Sequence, residues 1–327
     1  MKLEKKNVLD MKPPMIVLTG PTAVGKTKLS LALAEAVGGE IISADSMQVY
    51  RHMDIGSAKI TQEEMRGIPH HMINILEPWE AFHVAAFKER CERALTEIYG
   101  REHIPIVAGG TGFYIQALLR DIDFTENEED AEYRACLEKL AAREGAGKLY
   151  GMLLEADPEA ARAIHPHNSK RVIRALEYHH LTGQKISLHN EQERQKQSAY
   201  NSCYFVLNDL RERLYERIEQ RIDEMLEQGL VAEVEKLREM GCHRGMVSMQ
   251  GLGYKEILAY LEGEYTYEHA VEILKRDTRH FAKRQLTWFR RESDVIWINK
   301  NEFGYDERKI LEFMLDELQE HGIVVER

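Results

Sequence analysis

Short apolar runs alternate with amphipathic segments over the first 120 residues of the chain. Met15–Thr19, Glu40–Ala44 and Ile104–Ala108 have the length and composition of buried strands, and each is followed by glycine or a polar turn residue. Between them, Thr27–Val37 and Phe82–Tyr99 carry apolar residues at the spacing of a helix. Strands that alternate with helices predict an α/β fold, in which helices cover both faces of a parallel sheet.

The pattern changes between about residues 121 and 200, where helical segments follow one another with no convincing strand. Ala131–Glu144, Pro158–Ile164 and Lys170–Leu181 each show helical periodicity. We therefore expect an all-helical insertion over these residues.

After residue 200 the sequence again predicts strands between long helices. In chain order the segments are a strand at Tyr204–Leu207, helices at Leu210–Met240 and Thr266–Arg291, a strand at Val295–Ile298 and a helix at Asp306–Gln319. Residues 1–120 together with 201–327 are thus predicted to form the core domain, and 121–200 the insertion domain.

The clearest chemical signal lies between the first predicted strand and the first predicted helix. Its residues match the phosphate-binding pattern G-x-x-x-x-G-K-T, and they are Gly20, Pro21, Thr22, Ala23, Val24, Gly25, Lys26 and Thr27. Glycines let such a loop wrap with its N–H groups inward, and the helix start adds the positive end of its dipole. Lys26 supplies a charge and Thr27 a hydroxyl for Mg²⁺. This predicts a P-loop NTPase-like core that grips two linked phosphates, of a nucleotide or of another leaving group.

A second polar segment, Asp45 to Gln48, follows the second predicted strand. Ligands of open parallel sheets bind at the carboxyl ends of the strands, so Asp45 is expected to face the phosphate loop. There its carboxylate could take a proton or hold the water shell of a metal. The alternative is a structural role as the cap of the following turn.

Two further segments have an open interpretation. Gly109-Gly110-Thr111-Gly112 follows the third predicted strand, where Thr111 can donate to a phosphate or a base, although glycine-rich turns also end strands for structural reasons alone. His70 and His71 follow Gly-Ile-Pro in a predicted loop, and no carboxylate or cysteine stands at metal-ligand spacing from them. A histidine pair in a loop could bind a metal, but without such partners the alternative for His70 is a structural hydrogen bond.

Composition excludes several classes of protein. Hydrophobic residues make up 43% of the 327 residues, enough for a core, yet no apolar run approaches the roughly 18 residues of a membrane span. No signal-peptide stretch stands at the start, and the four cysteines are unpaired in sequence, which is typical of a reducing compartment. We therefore expect a cytoplasmic protein without a membrane or an obligate protein partner.

The net charge of −11 argues, by itself, against a nucleic-acid partner. The acidic excess, however, lies in Asp121–Glu132 and Asn301–Arg327, whereas Lys275–Arg291 is strongly basic. We expect a polarised surface with the acidic stretches away from the site. For the basic run, a solvated helix face is the alternative.

Eight phrases taken together resemble the tRNA dimethylallyltransferase family of bacterial tRNA isopentenyltransferases. They run from residue 20 to 291 and are GPTAVGKT, SADSMQVYRHMDIGSAK, GIPHHMI, VAGGTGFYIQALL, HPHNSKRVIRALE, RIEQRIDEML, GLGYKEI and RHFAKRQLTWFRR. The resemblance implies transfer of a dimethylallyl group from dimethylallyl diphosphate to N6 of the adenosine 3′ of a tRNA anticodon, with release of diphosphate. The P-loop would then hold the diphosphate in place of ATP.

The resemblance also implies roles for single residues. Asp45 matches the general base, Arg221 a helix arginine that binds the diphosphate, and Thr111 a residue near both donor and target base. Thr27 with Mg²⁺ would absorb charge on the leaving diphosphate, and His70 is placed near the substrates. Arg221 stands at four-residue spacing with Arg213 and Arg217, and for all three the alternative is pairing with neighbouring glutamates on a solvated helix.

Contacts with the tRNA anticodon stem-loop are expected from the segment after the second strand, from the insertion and from the late basic helix. These residues are Asp45, Ser46, Met47, Gln48, Lys170, Arg171, Val172, Ile173, Arg174, Gln250, Lys255, Arg276, Arg279 and Lys283. The insertion would grip the stem by shape and phosphate contacts. Arg276, Arg279 and Lys283 share one stripe of the helix, which is expected to be free to face RNA.

Two other functions are compatible with part of the pattern. A P-loop kinase of a small molecule or nucleotide would explain the phosphate loop and Asp45, but not the insertion or the basic helix. A nucleotide-switched RNA-binding protein would not need Asp45 beside the phosphates.

Overall fold

A computed structural model describes residues 12–122, 124 and 130–323 of the chain. The described residues group into two compact units. The core unit belongs to Met1–Leu119 with Ala199–Arg327, and the helical unit to Arg120–Ser198.

One parallel sheet forms the centre of the core unit. Its strands are β1 Pro14–Thr19, β2 Gly39–Ala44, β3 His70–His71, β4 Ile104–Gly109, β5 Asn201–Asn208 and β6 Val295–Asn299. Over the described residues the order is β3–β2–β4–β1–β5–β6, and every pairing is parallel. The carboxyl ends of β1, β4 and β2 therefore lie next to one another at one edge of the sheet, where open sheets bind ligands.

Helices account for most of the remaining chain. In order they are α1 Lys26–Val37, α2 Val84–Gly100, α3 Gly112–Leu119, α4 Ala131–Glu144, α5 Ala146–Ala156, α6 Pro158–Ala163, α7 Ser169–Thr182, α8 Ile186–Gln195, α9 Arg211–Glu227, α10 Leu230–Glu239, α11 Tyr254–Leu261, α12 Tyr267–Phe289 and α13 Glu307–Glu320. The fold class predicted from the sequence, a P-loop-like parallel sheet flanked by helices with helical segments inserted, is confirmed.

The central strands are largely apolar, as expected where helices cover both faces of the sheet. Met15, Ile16, Val17 and Leu18 of β1 are all fully buried. The helical unit has its own core, in which α4, α5 and α7 contribute Leu137, Leu149, Leu153, Val172 and Leu176. Among the described residues, no helix combines the length and the apolar character needed to cross a membrane.

The structure corrects several expected boundaries. The single helix expected over 210–240 is two helices, because Gly229 adopts a φ of +101° between α9 and α10. Helices α3, α5, α8 and α11 lie outside the segments predicted to be helical. His70 and His71, expected in a loop, form the short edge strand β3, which pairs with β2. The acidic stretch expected from residue 121 to 132 includes positions 123 and 125–129, which lie outside the described residues.

Candidate active site

The loop between β1 and α1 has the geometry of a phosphate-binding loop. Gly20 has a φ of +146°, and a Cβ there would lie 2.3 Å from the carbonyl oxygen of Leu207, so only glycine fits. Gly25, with a φ of +102°, stands directly before Lys26, where α1 begins. The loop thus ends at a helix N-terminus, whose N–H groups and dipole favour an anion.

The Lys26 ammonium lies within this loop. Its Nζ donates to the carbonyl oxygens of Gly20, at 3.0 Å, and Pro21, at 2.8 Å. Burial and the nearby Arg221 guanidinium lower the pKa of Lys26 to about 7, although Asp45 acts in the opposite direction. Burial likewise lowers the pKa of Arg221. Two close cations, each with a depressed pKa, form an environment that a bound anion would stabilise.

A second pair of cations binds carbonyl oxygens of the phosphate loop. Arg217 Nε donates to the Ala23 carbonyl at 2.8 Å, and Lys300 Nζ to the Val24 carbonyl at 3.3 Å. Because a trans peptide directs its N–H opposite to its C=O, these bonds orient the two following N–H groups away from the cations. Arg217 therefore does not fit the alternative, in which it would pair with a neighbouring glutamate on a solvated helix face. Arg213 stacks on Tyr305, with its guanidinium carbon 3.9 Å from the ring centroid.

Sequence reasoning missed Lys300. Its side chain is only 5% exposed, and burial, followed by repulsion from Arg217, lowers its pKa. The signal in the sequence was the position of Lys300 directly after the apolar strand β6, where a lysine side chain need not face solvent.

Asp45 follows β2 and has both of the roles considered from the sequence. Its Oδ1 accepts the N–H of Met47 at 2.8 Å and, more weakly, that of Gln48 at 3.4 Å, which caps the turn. The Gln48 amide is held in turn by the Ser43 hydroxyl, which donates to its Oε1 at 2.9 Å. The same carboxylate lines the cavity beside the phosphate loop, so the cap orients a group that also faces the site.

A cavity of about 70 Å³ lies at the carboxyl edge of the sheet. Its walls bring together five residues singled out from the sequence, which are Lys26, Thr27, Asp45, Gln48 and His70. The remaining walls include apolar side chains such as Ile60 and Ile73 and the end of β4 at Gly109. The cavity therefore combines a phosphate-binding end, a carboxylate and an apolar surface.

The loop after β4 is tied to both neighbouring segments. The Thr111 N–H donates to the Ala44 carbonyl at 3.1 Å, which places Thr111 beside Asp45. On the other side the amide of Gln285, from α12, accepts the N–H of Thr22 and donates to the carbonyl of Gly110. Sequence reasoning missed Gln285; the signal was a polar residue on the buried side of an otherwise basic helix.

His70 makes a structural hydrogen bond and also lines the cavity. Its Nδ1 lies 2.8 Å from the Ile68 carbonyl, and burial lowers its pKa. The two roles expected for His70 are therefore compatible, because the ring is fixed by the backbone at the wall of the site.

The segment of the helical unit expected to bind tRNA has two faces. Val172 and Ile173 are buried in the core of this unit, so their side chains cannot contact RNA, and that part of the expectation is corrected. Lys170 and Arg171 are exposed. Arg174 is half-buried and pairs with Glu177 at 3.0 Å.

The basic stripe of α12 is not free as expected. Arg279 pairs with Glu219 of α9 at 2.6 Å, and Arg276 with Asp277 at 2.9 Å. Lys255 lies 3.7 Å from Asp277. The acids on α9 and α12 therefore neutralise part of this run, whereas Lys283 and Gln250 have exposed side chains.

The chain is similar to known protein families and to a known enzyme. The family described as IPP transferase matches residues 48–292, and the one described as isopentenyl transferase matches 13–74. A tRNA dimethylallyltransferase of Lachnoclostridium phytofermentans is 60% identical over 311 residues, which cover 95% of this chain and 99% of the relative.

The chain is also similar to solved structures. The full-length tRNA isopentenylpyrophosphate transferase of Bacillus halodurans is 43% identical with a TM-score of 0.71, and the match covers 95% of this chain and 98% of that one. A eukaryotic dimethylallyltransferase, described as acting on tRNA, is 31% identical with a TM-score of 0.76 and covers 88% of this chain and 74% of its own. The resemblance found in the sequence is confirmed, and the chain belongs to the tRNA dimethylallyltransferase family of prenyltransferases.

Proposed function

We propose that the protein transfers a dimethylallyl group from dimethylallyl diphosphate to N6 of the adenosine 3′ of a tRNA anticodon and releases diphosphate. The observation that carries this proposal is the cavity in which Lys26, Thr27 and Asp45 meet. It pairs a site for a charged leaving group with a carboxylate, next to apolar walls that suit a prenyl chain. The tRNA substrate also supports a cytoplasmic location.

The phosphate loop would bind the leaving group. The diphosphate would accept hydrogen bonds from the inward N–H groups of the loop and would be attracted by the positive charges of Lys26 and Arg221. This attraction would become stronger as the carbon–oxygen bond breaks and negative charge builds up on the diphosphate. The depressed pKa of Lys26 supports this role, because a bound diphosphate favours the protonated form. Arg217 and Lys300 would hold the loop without touching the substrate.

Thr27 would supply the protein's ligand to Mg²⁺. Among the described residues no group of three or more histidine, cysteine, aspartate or glutamate side chains could hold a metal. This fits Mg²⁺, which commonly takes one or two protein ligands and completes its shell with phosphate oxygens and water. When bound, the ion would neutralise charge on the leaving diphosphate.

Asp45 would act as the general base. The N6 nitrogen attacks C1 of the donor, the C–O bond to the diphosphate breaks with its electron pair, and the N6 proton passes to the Asp45 carboxylate. The hydrogen bond from the Met47 N–H fixes one oxygen of this carboxylate, so that the group is oriented before the substrate arrives. Thr111, tied to Ala44 beside it, would contact the target base.

The target base stacks inside the anticodon loop and must be flipped out to reach such a cavity, at a cost of a few kcal/mol. Ser46, Met47 and Gln48 stand next to Asp45 and would contact the flipped nucleotide. Lys170 and Arg171 on the helical unit, with Lys283 and Gln250 on the core unit, are the exposed side chains proposed to contact the RNA.

One assay tests this function against the alternatives. The protein is incubated with labelled dimethylallyl diphosphate, labelled ATP and bulk tRNA, and the label in each acceptor is measured. We expect prenyl label in tRNA and one diphosphate released for each group transferred. Phosphate label moving from ATP to a small acceptor would identify a kinase instead, and the absence of transfer from either donor would favour an RNA-binding protein.

A further inference from the structure

The Gln285 amide connects two loops that leave neighbouring strands. Its Oε1 accepts the Thr22 N–H at 2.8 Å, and its Nε2 donates to the Gly110 carbonyl at 3.0 Å. Thr22 lies in the phosphate loop after β1, and Gly110 precedes Thr111 in the loop after β4. We propose that Gln285 is a positioning residue that sets the distance between the leaving group and the target base, an inference that rests on the proposed function.

The sheet itself stops one step before this bridge. Thr19 and Gly109 form the last paired position of β1 and β4, and the Thr19 hydroxyl donates to the Gly109 carbonyl at 2.7 Å. Beyond them the two backbones no longer pair with each other, and the Gln285 side chain contacts both of the loops that follow. Gln285 makes that connection at the point where the chain begins to form the site.

A primary amide of this length suits the task. The bridge needs an acceptor for one part-buried N–H and a donor for one part-buried carbonyl, and the side chain of Gln285, a residue only 7% exposed, offers both. A carboxylate would keep the acceptor but would direct a negative oxygen at the Gly110 carbonyl. An apolar side chain would leave both backbone groups without their partner.

Gly110 is matched to this amide. A Cβ at position 110 would lie 2.2 Å from Gln285 Nε2, and 3.6 Å from the Gly20 carbonyl oxygen. Alanine there would therefore displace the amide while leaving ordinary contact with the phosphate loop. The two residues form one structural unit, although they lie 175 positions apart in the sequence.

The distance between the two loops would determine whether the dimethylallyl group is transferred to N6 or to water. Transfer requires N6 to approach C1 of the donor to about 3–3.5 Å, and an error of about 1 Å in such a distance can cost on the order of 100-fold in rate. If the two loops separate, the C–O bond can still break with its electron pair on the diphosphate. Water then attacks C1 in place of N6 and loses a proton, which yields dimethylallyl alcohol and diphosphate.

The test compares transfer with diphosphate release in Gln285→Glu and Gln285→Met. Gln319→Met is the matched control, since Gln319 is an exposed glutamine on α13. We expect kcat for prenyl transfer to fall on the order of 10- to 100-fold, with KM for each substrate within about threefold. The ratio of diphosphate released to prenyl group transferred should rise well above one, with dimethylallyl alcohol as the second product.

A second pair of variants keeps the inference testable if Gln285 variants lose stability. Gly110→Ala should give the same excess of diphosphate release, and Gly110→Ala combined with Gln285→Met should be no worse than the poorer of the two single variants, because both changes act through one contact. Normal kcat and a ratio of one in folded Gln285 variants would overturn the inference. A wild-type protein that transfers no prenyl group would instead contradict the proposed function itself.

Discussion

The two ends of β2 each carry an acidic residue, and the two acids have opposite surroundings. Glu40 stands near the start of the strand, fully buried. Arg101 contacts both of its oxygens, at 2.7 and 2.8 Å, and His71 and His103 lie at 2.6 and 2.7 Å. Asp45 follows the end of the strand, where its Oδ1 accepts backbone N–H groups, and among the described residues it forms no ion pair.

The difference separates a structural charge, Glu40, from the charge proposed to act in the reaction, Asp45. At Glu40 the partners are built into the fold, and the Arg101 hydrogen bond, with those of the histidines, lowers the pKa of the carboxyl to about 2. At the other end, Lys26 and Arg221 are close together and lowered in pKa by burial. No carboxylate in the described part of the chain forms an ion pair with either cation, which is the arrangement expected where a substrate supplies the compensating charge.

The largest effect is expected from Asp45→Asn. It removes the proposed base while keeping the size and one hydrogen-bond acceptor for the Met47 N–H, so kcat for prenyl transfer should fall about 10²- to 10⁴-fold. Diphosphate affinity, measured by calorimetry, should change by less than about threefold. An equal loss of affinity and of transfer would show that Asp45 acts through the structure of the loop or through a metal.

A smaller effect is expected from Arg221→Met. Loss of a charge-assisted bond to the diphosphate should weaken its binding about 10- to 100-fold, whereas the urea midpoint should stay the same or rise, because a poorly solvated cation is removed. Arg213→Met on the same helix is the control, since Arg213 stacks on Tyr305. Equal weakening in both variants would mean that only the net charge of α9 matters.

The grouping of residues at the carboxyl end of β2 could largely be predicted from the sequence, whereas the contacts at its amino end could not. The P-loop and Asp45 are recognisable because their chemistry imposes residue types on short segments, whereas the role of Arg221 was expected only from the family resemblance. The Glu40 cluster draws its partners from positions 71, 101 and 103, and Gln285 joins loops far from it in the chain. Such contacts depend on strand order, which local periodicity does not encode.

The same limit explains the errors along the helices. The apolar stripe of α9 predicted a helix correctly, but Gly229 was not recognised as a break because glycine is tolerated inside helices. The basic run of α12 predicts a stripe that is free to face RNA, but Glu219, which lies on α9, pairs with Arg279. The family resemblance places Val172 and Ile173 in a segment that contacts tRNA, but their apolar side chains lie in the core of the helical unit.

At the structural end of β2, Glu40→Gln should lower stability and leave chemistry intact. The amide cannot pair with Arg101 as the carboxylate does, and we expect a loss of about 1–3 kcal/mol in the free energy of unfolding. The loss is limited because Arg101 and His103 are about half-exposed and regain water. Urea unfolding measures it, and kcat per folded molecule should match wild type; a loss of kcat similar to that of Asp45→Asn would erase the distinction between the two ends.

The smallest effect is the dependence of this contribution on pH. The carboxyl of Glu40 has a pKa of about 2 in the folded protein against an ordinary 4.5, so the unfolded chain takes up its proton first as the pH falls. Its stabilisation is therefore complete above about pH 4.5 and is lost progressively as the pH falls towards 2, with a total of roughly 1–2 kcal/mol after allowance for the exposed partners.

Urea midpoints of wild type and Glu40→Gln should accordingly differ most above pH 5 and converge as the pH is lowered towards 3. Arg101→Met removes the largest cause of the depressed pKa, so in an Arg101→Met background the further change Glu40→Gln should cost less stability, and that cost should vanish at a higher pH. A gap between wild type and Glu40→Gln that stays constant from pH 6 to 3 would mean that Glu40 stabilises the amino end of β2 by packing, and not by charge.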